Sequence, residues 1–265
     1  MRLGLAVLFL TCAAAPASAY TQDTKPKGVP IAMPAGECEV VLATLPIGSS
    51  FDRPTLERTV DEAIAAWSAV SGLPVRLRRV ATPTAGRPVI TISDSDVVWA
   101  AAERYLALTT VSSHEHSGVI VSAVIDLDDV HHRFADVETD GGLPSDAPRH
   151  DLASVITHEL GHTLGLGHST DPAAVMYPDI AAEETRARTL SEDDRAGIVA
   201  IYRGLAEVPA DAPAESQPAA ASSQAPTQTG SSGNGCSMAP PPSPMRVPPI
   251  LVLFLLAVVV VRARA

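Results

Sequence analysis

Cysteine is scarce in this 265-residue chain, which carries only Cys12, Cys38 and Cys236. Cys12 falls in an N-terminal segment that reads as a cleaved signal. Cys38 and Cys236 stand on opposite sides of the folded region in different compositional settings, so no disulfide framework follows. A link between them is open in an oxidising compartment, but two separate roles are expected. Positive charge is also thin: 19 Lys and Arg stand against 30 Asp and Glu, for a net charge of -11. No basic residues cluster in the way phosphate binding requires, and nucleic acid is excluded as a partner. Internal repeats are absent. The acidic group Asp126, Asp128 and Asp129 lacks EF-hand spacing, so a solvated loop is expected there in preference to a Ca²⁺ site.

Composition shifts near both ends and divides the chain. Residues 1–19 combine Arg2, an apolar stretch over residues 3–10 and the small-residue end Ala17-Ser18-Ala19, the pattern of a secretory signal cleaved before Tyr20. Residues 20–36 are polar and proline-interrupted, an extended leader or short propeptide with nothing catalytic legible in it. A single folded unit is expected over residues 37–205. Residues 206–235 are rich in Pro, Ala, Ser, Gln and Gly, which buries too little apolar surface to offset ordering entropy and predicts a flexible spacer. Residues 236–265 form an apolar tail. Its continuous run, residues 250–261, precedes Arg262 and Arg264 and as a helix would rise only about 18 Å. A hydrocarbon core is roughly 30 Å thick, so a temporary sorting tail competes with a permanent membrane anchor.

Within the folded unit, residues 39–45 read as a β-prone run. Leu56, Val60, Ile64 and Trp67 recur at helical spacing after Asp52, which is placed to cap the helix ahead of Pro54. Trp67 reads as a core anchor. Residues 75–80, 89–92, 106–111 and 119–127 are short and β-branched, giving a mixed sheet of about four or five strands. The arginines at 76, 78 and 79 are expected on a solvated strand face. Asp151 can cap a second helix through Leu152, Val155, Ile156, Leu160 and Leu164, with Gly165 as a left-handed stop. A last helix starts at Ser191, in a capping box with Asp194, and reads as packing.

The second helix carries the chemistry in His158-Glu159-Leu160-Gly161-His162-Thr163-Leu164-Gly165-Leu166-Gly167-His168. His158 and His162 are four residues apart, so their imidazoles project one turn apart from one face and can share a Zn²⁺. Glu159 lies beside the first ligand. A third ligand six residues beyond His162 requires the chain to turn back, and Gly165 and Gly167 permit that. With His168 as third ligand, a fourth position stays open, as catalytic rather than structural zinc requires.

This segment resembles the elongated zinc motif of the metzincin metallopeptidases, and Ser169 after the third ligand is similar to the matrixin-like members. Ala174-Val175-Met176-Tyr177-Pro178 looks like the family's Met-turn. The resemblance covers residues 38–203 and is nearest to compact bacterial matrixin-like (peptidase M10-type) proteins. It implies an α+β, zincin-like fold. That fold has a mixed, mostly parallel sheet of about four to five strands, an edge strand over the cleft, a long first helix, a zinc-binding helix, a Met-turn and a C-terminal helix. It further implies a secreted or surface-anchored endopeptidase with one catalytic Zn²⁺ on His158, His162 and His168. Glu159 would be general base to a zinc-activated water, with Met176 beneath the metal and Tyr177 in the substrate-pocket wall. A protein or peptide substrate is expected along residues 106–111 by strand addition.

Two features depart from the vertebrate matrixins. Residues 20–35 hold no cysteine-switch sequence, and His114, His116, His131 and His132, which could make a second, structural zinc site, do not cleanly match the family's spacing for one. Neither that second Zn²⁺ nor Ca²⁺ has support. The tail resembles sorting tails of some Gram-negative surface proteins, in which a Gly-Cys step, here Gly235-Cys236, precedes an apolar helix, here residues 250–261, and a basic end. This would imply a processing protease as partner and attachment at the outer membrane surface. The alternative readings are a zinc-containing surface binding or adhesion module, and a self-processing protein with little turnover on other substrates.

Overall fold

Alternating burial sets up the sheet. In β2 (Val75–Arg79), which follows β1 (Gly36–Leu42) and α1 (Arg53–Ser68), Val75 and Leu77 are buried while Arg76 and Arg78 are exposed. The same period of two runs through β3 (Val89–Asp94), as one-sided packing requires. The computed structural model describes residues 19–25, 28–46, 48–94, 105–139, 148–207 and 255–264. Residues 1–18, residues 208–235 of the expected spacer, and Cys236 lie outside the described residues.

The remaining elements are β4 (Tyr105–Ser113), β5 (Ile120–Leu127), the two-residue strands β6 (Phe134–Ala135) and β7 (His150–Asp151), and α2 (Leu152–Thr163). Then come β8 (Asp179–Ala181), a 3-10 turn at Arg186–Arg188, α3 (Glu192–Glu207) and β9 (Leu255–Arg264). The main sheet has the order β2-β1-β3-β5-β4-β9-β8. In its five-stranded core β2-β1-β3-β5-β4, every joint is parallel except β4 to β5. This is the expected mixed, mostly parallel α+β arrangement, with β4 at the edge of the core.

Two strands lie beyond the expected five. β9 pairs antiparallel with β4, with Thr109 opposite Val259, and parallel with β8, with Ile180 opposite Ala263. The apolar tail therefore enters the sheet as an extended strand, not as a short helix. The valines at 258–261 favour that geometry, since β-branched side chains lose rotamer freedom in a helix and fit a pleated surface. Among the described residues no helix is long and apolar enough to cross a membrane.

α1 and α2 pack together on the sheet. Asp52 caps α1 by accepting from the Thr55 N–H at 2.9 Å, and Trp67, fully buried, donates its indole N–H to the Thr157 carbonyl at 2.9 Å. Every residue of α2 is buried, so its polar groups need internal partners. Asp151 accepts from Ser154 N–H at 2.9 Å, and the Thr157 hydroxyl donates to the Ala153 carbonyl at 2.7 Å.

Residues 19–25 and 28–36 are packed into the domain. Ile31 and Met33 are fully buried. Asp23 N–H donates to the Gly165 carbonyl, and Ile120 N–H to that of Ala32. Gly165 holds φ +104°, and a Cβ there would lie 2.5 Å from the Ile31 carbonyl oxygen. The expected left-handed stop is thus also where the leader presses closest.

Several sequence expectations change in detail. Arg78 pairs with Glu37 and Glu39, and Arg79 with Asp61, so the arginine face is knit by ion pairs as well as solvated. The acidic group is not a solvated loop. Asp128 is fully buried and receives the His131 N–H at 3.1 Å, Asp129 accepts from Ser50, and Asp126 from Ser93. Cys38 is a buried free thiol that burial, with Glu39 beside it, pushes up to about 12, an inert state.

Candidate metal centre

α2 delivers His158 and His162 one turn apart, and the turn at Gly165 returns the chain so that His168 meets them. Ring centroids lie 4.8 Å apart for His158 and His162, 5.0 Å for His162 and His168, and 5.4 Å for His158 and His168. One ligand nitrogen from each ring falls within 4.8 Å of the others, and this is the one such cluster among the described residues. Gly167 has a different part from the one its spacing suggests. Its φ is not positive; its missing Cβ instead leaves room for Thr21 and Asp23 of the leader.

Backbone carbonyls fix the tautomers. His158 Nδ1 lies 2.7 Å from the Val175 oxygen and His162 Nδ1 2.8 Å from that of Leu166. A carbonyl only accepts, so each Nδ1 carries hydrogen and in the neutral ring each Nε2 presents a lone pair. Those two Nε2 atoms face each other at 3.0 Å between fully buried rings, with His168 beside them half-buried. Two lone pairs so placed repel unless a proton or a metal ion lies between them, and the donor set of three imidazoles suits Zn²⁺. Burial, with His162 and His168 adjacent, holds His158 well below the usual imidazole range. For His162 burial also opposes the charge, but Asp23, 3.6 Å from Nδ1, and Glu159 outweigh it and raise its pKa.

Glu159 is fully buried. Its Oε2 accepts from the Thr109 hydroxyl at 2.5 Å, while Oε1 has no hydrogen-bond partner among the described residues. Burial pushes its carboxyl up to about 7, with His162 and Thr109 pulling the other way.

Met176 lies under the ligand helix. A Cβ on Gly161 would meet its Sδ at 2.3 Å and Trp67 Cζ2 at 2.9 Å, so glycine at that point lets the Met-turn approach. The turn is clamped from α3: Asp194 accepts from Val175 N–H at 2.8 Å, Met176 N–H at 3.1 Å and Ser191 N–H at 2.8 Å. The capping box at Ser191 therefore does more than pack. Through the Val175 carbonyl it also orients His158, an outer-shell role of the kind that tunes a metal site. Asp193 accepts from the Ser169 hydroxyl at 2.7 Å and from the N–H groups of Ala19 and Tyr20 at 2.8 and 3.2 Å. Tyr177 is half-buried, with the Arg186 guanidinium 6.0 Å from its ring centre.

Thr109, Asp23, Asp193 and Asp194 are the site residues that sequence reasoning missed. Of these, only Asp194 carried a signal, the capping box itself. Of the histidines outside the motif, His131 pairs with Asp128 and His132 packs edge-on to His150 at 5.4 Å. His114 and His116 are exposed at a turn, and the ligand cluster found among the described residues includes none of the four.

The family model for matrixin, peptidase M10, matches residues 42–203. Over shorter stretches the chain is similar to human neutrophil collagenase, 52% identical over 60 residues, or 23% of this chain and 13% of that protein. It is 52% identical to Arabidopsis thaliana metalloendoproteinase 1-MMP over 52 residues, 20% of this chain and 14% of the relative. Human matrilysin is 54% identical over 46 residues, 17% of each chain. The matched stretches thus span less than a fifth of these relatives.

Proposed function

This chain belongs to the matrixin family of metallopeptidases, and on that premise we propose that it is an exported, zinc-dependent endopeptidase acting on extended protein or peptide substrates. The observation that carries this reading is the 3.0 Å approach of the His158 and His162 Nε2 atoms, with His168 closing the triangle and Glu159 beside it. A zinc ion bound there would supply Lewis acidity, polarising a carbonyl and acidifying water.

The protein's own residues do the rest. The Val175 and Leu166 carbonyls hold two imidazoles in the ligating tautomer. Thr109 fixes Glu159 through Oε2 and leaves Oε1 as the atom that takes a proton from water and returns it to the leaving amine. Met176 supports the ligands from below, and Tyr177 contributes to the pocket wall. β4, on the side away from β5 where β9 now pairs, has the backbone groups to orient an extended chain before any chemistry.

Export is supported by the N-terminal signal pattern and by Asp193. Cleavage before Tyr20 would place a new ammonium group where the Tyr20 N–H now lies 3.2 Å from a carboxylate oxygen, a charge-assisted contact. The Gly235-Cys236 step and apolar end support processing and attachment at the cell surface.

The test is zinc stoichiometry and cleavage of a denatured protein by the purified chain, with Glu159→Ala and a chelator as controls. One zinc per chain with cleavage that Glu159→Ala abolishes is the expected result. Full zinc with cleavage that survives Glu159→Ala would overturn the assigned mechanism.

A further inference from the structure

We propose that the strand-accepting slot of this peptidase is occupied by the chain's own C-terminal segment, Leu255–Arg264, which acts as a tethered competitor for substrate. The inference rests on the peptidase reading above for its consequence, but not for the docking itself.

Three observations carry it. First, β9 is bound on both sides. It pairs antiparallel with β4 over Tyr105–Ser113 and parallel with β8 over Asp179–Ala181, so it lies between the edge of the sheet core and the segment that follows Met176 and Tyr177. Second, its register places Val259 opposite Thr109, whose hydroxyl holds Glu159. Adjacent strands lie about 4.8 Å apart, so the β9 backbone crosses the region where a peptide would have to pass. Third, an open edge such as β4 presents a row of unpaired N–H and C=O groups, which proteins pair or cover. Here the cover is a run of valines with high strand preference, joined through residues 208–254 to the end of α3.

Tethering makes the competition effective. A segment on the same chain meets its slot at an effective concentration of order millimolar, so modest strand pairing suffices to exclude a dilute substrate. The segment cannot lie in the cleft and also enter a membrane or be processed away. Docking and surface attachment are therefore mutually exclusive, and capture of the tail elsewhere opens the site.

The experiment uses the full chain and the double variant Val259→Pro/Val260→Pro, which removes two consecutive strand N–H groups and with them a ladder bond on whichever side each faces. Hydrogen exchange is measured at the amides of β4 that face away from β5, and hydrolysis of a fluorogenic peptide is followed beside zinc content. The wild type is expected to protect those amides. The variant should release them and raise kcat/KM by about tenfold at unchanged zinc. Wild-type amides exchanging as fast as an open edge would overturn the docking, whatever the variant does. Released amides with equal, measurable turnover in both forms would overturn the competition. Protection that is lost in a variant with full zinc and no turnover would instead sink the peptidase reading while leaving the docking in place.

Discussion

Thr109 on β4 donates its hydroxyl to Glu159 Oε2 on α2 across 2.5 Å, and both residues are fully buried. This bond joins β4 to α2 and leaves Oε1 without a hydrogen-bond partner among the described residues. Thr109→Val keeps shape and volume but removes the donor. A hydrogen bond to an ionised group contributes about 1.5–3 kcal/mol, so kcat/KM is expected to fall by about tenfold or more at unchanged zinc content. Thr109→Ser should recover most of the loss. Wild-type turnover in Thr109→Val would show that Glu159 needs no such anchor.

Asp194 holds three backbone N–H groups, those of Val175, Met176 and Ser191. Asp194→Ala leaves buried donors without acceptors, at an expected cost of about 3 kcal/mol, and loosens the Val175 carbonyl against His158 Nδ1. Zinc affinity should weaken by about tenfold or more. Thermal denaturation and competition with a zinc indicator measure the two effects separately. A lower melting temperature with unchanged zinc affinity would disconnect Asp194 from the ligands.

The helices, the presence of the core strands and the triad of imidazoles were legible because each leaves a periodic mark: Leu56 to Trp67 at 3.6, β2 at 2, His158 and His162 at four. Thr109 was not legible, because a threonine inside a β-branched run has the same local pattern whether it packs or reaches a carboxylate. Asp23 lies in a leader without periodicity, and its place beside His162 depends on Ile31 and Met33 being drawn into the core. For the tail, length argued against a membrane span, but only the edge that β4 would otherwise leave unpaired tells where a valine strand would go.

Asp136 is buried between Arg188 and Arg58, with contacts of 2.6 and 2.8 Å, and Arg188 also grips Asp151, the cap of α2. Burial alone would raise the Asp136 carboxyl, but the bonds from Arg188 and Arg58 prevail and hold it well below the usual value of 3.8. With the folded pKa depressed, its contribution is complete above the unfolded value and is lost as pH falls through the folded one. Denaturant titrations of wild type should therefore show stability declining below about pH 4, and Asp136→Asn should flatten that slope while lowering stability at neutral pH. An unchanged acid slope in the variant would remove Asp136 from the account.

Gly161 sits where α2 crosses both Met176 and Trp67, and the Cβ of an alanine there would fall 2.3 Å from Met176 Sδ and 2.9 Å from Trp67 Cζ2. Alanine favours helix by about 1 kcal/mol over glycine, so on propensity alone Gly161→Ala should stabilise. The steric term has the opposite sign, and overpacking of a filled core costs about 1–3 kcal/mol. Met176 is flexible and can yield, but moving it displaces the turn that holds His158. Gly161→Ala is expected to lower both melting temperature and zinc affinity. Pairing it with Met176→Ala, which frees the space, should make the alanine at 161 neutral or stabilising relative to Met176→Ala alone. Additive effects in that double-mutant cycle would place the strain on Trp67 instead, and a stabilised single variant would mean that propensity, not the Met-turn contact, governs this position.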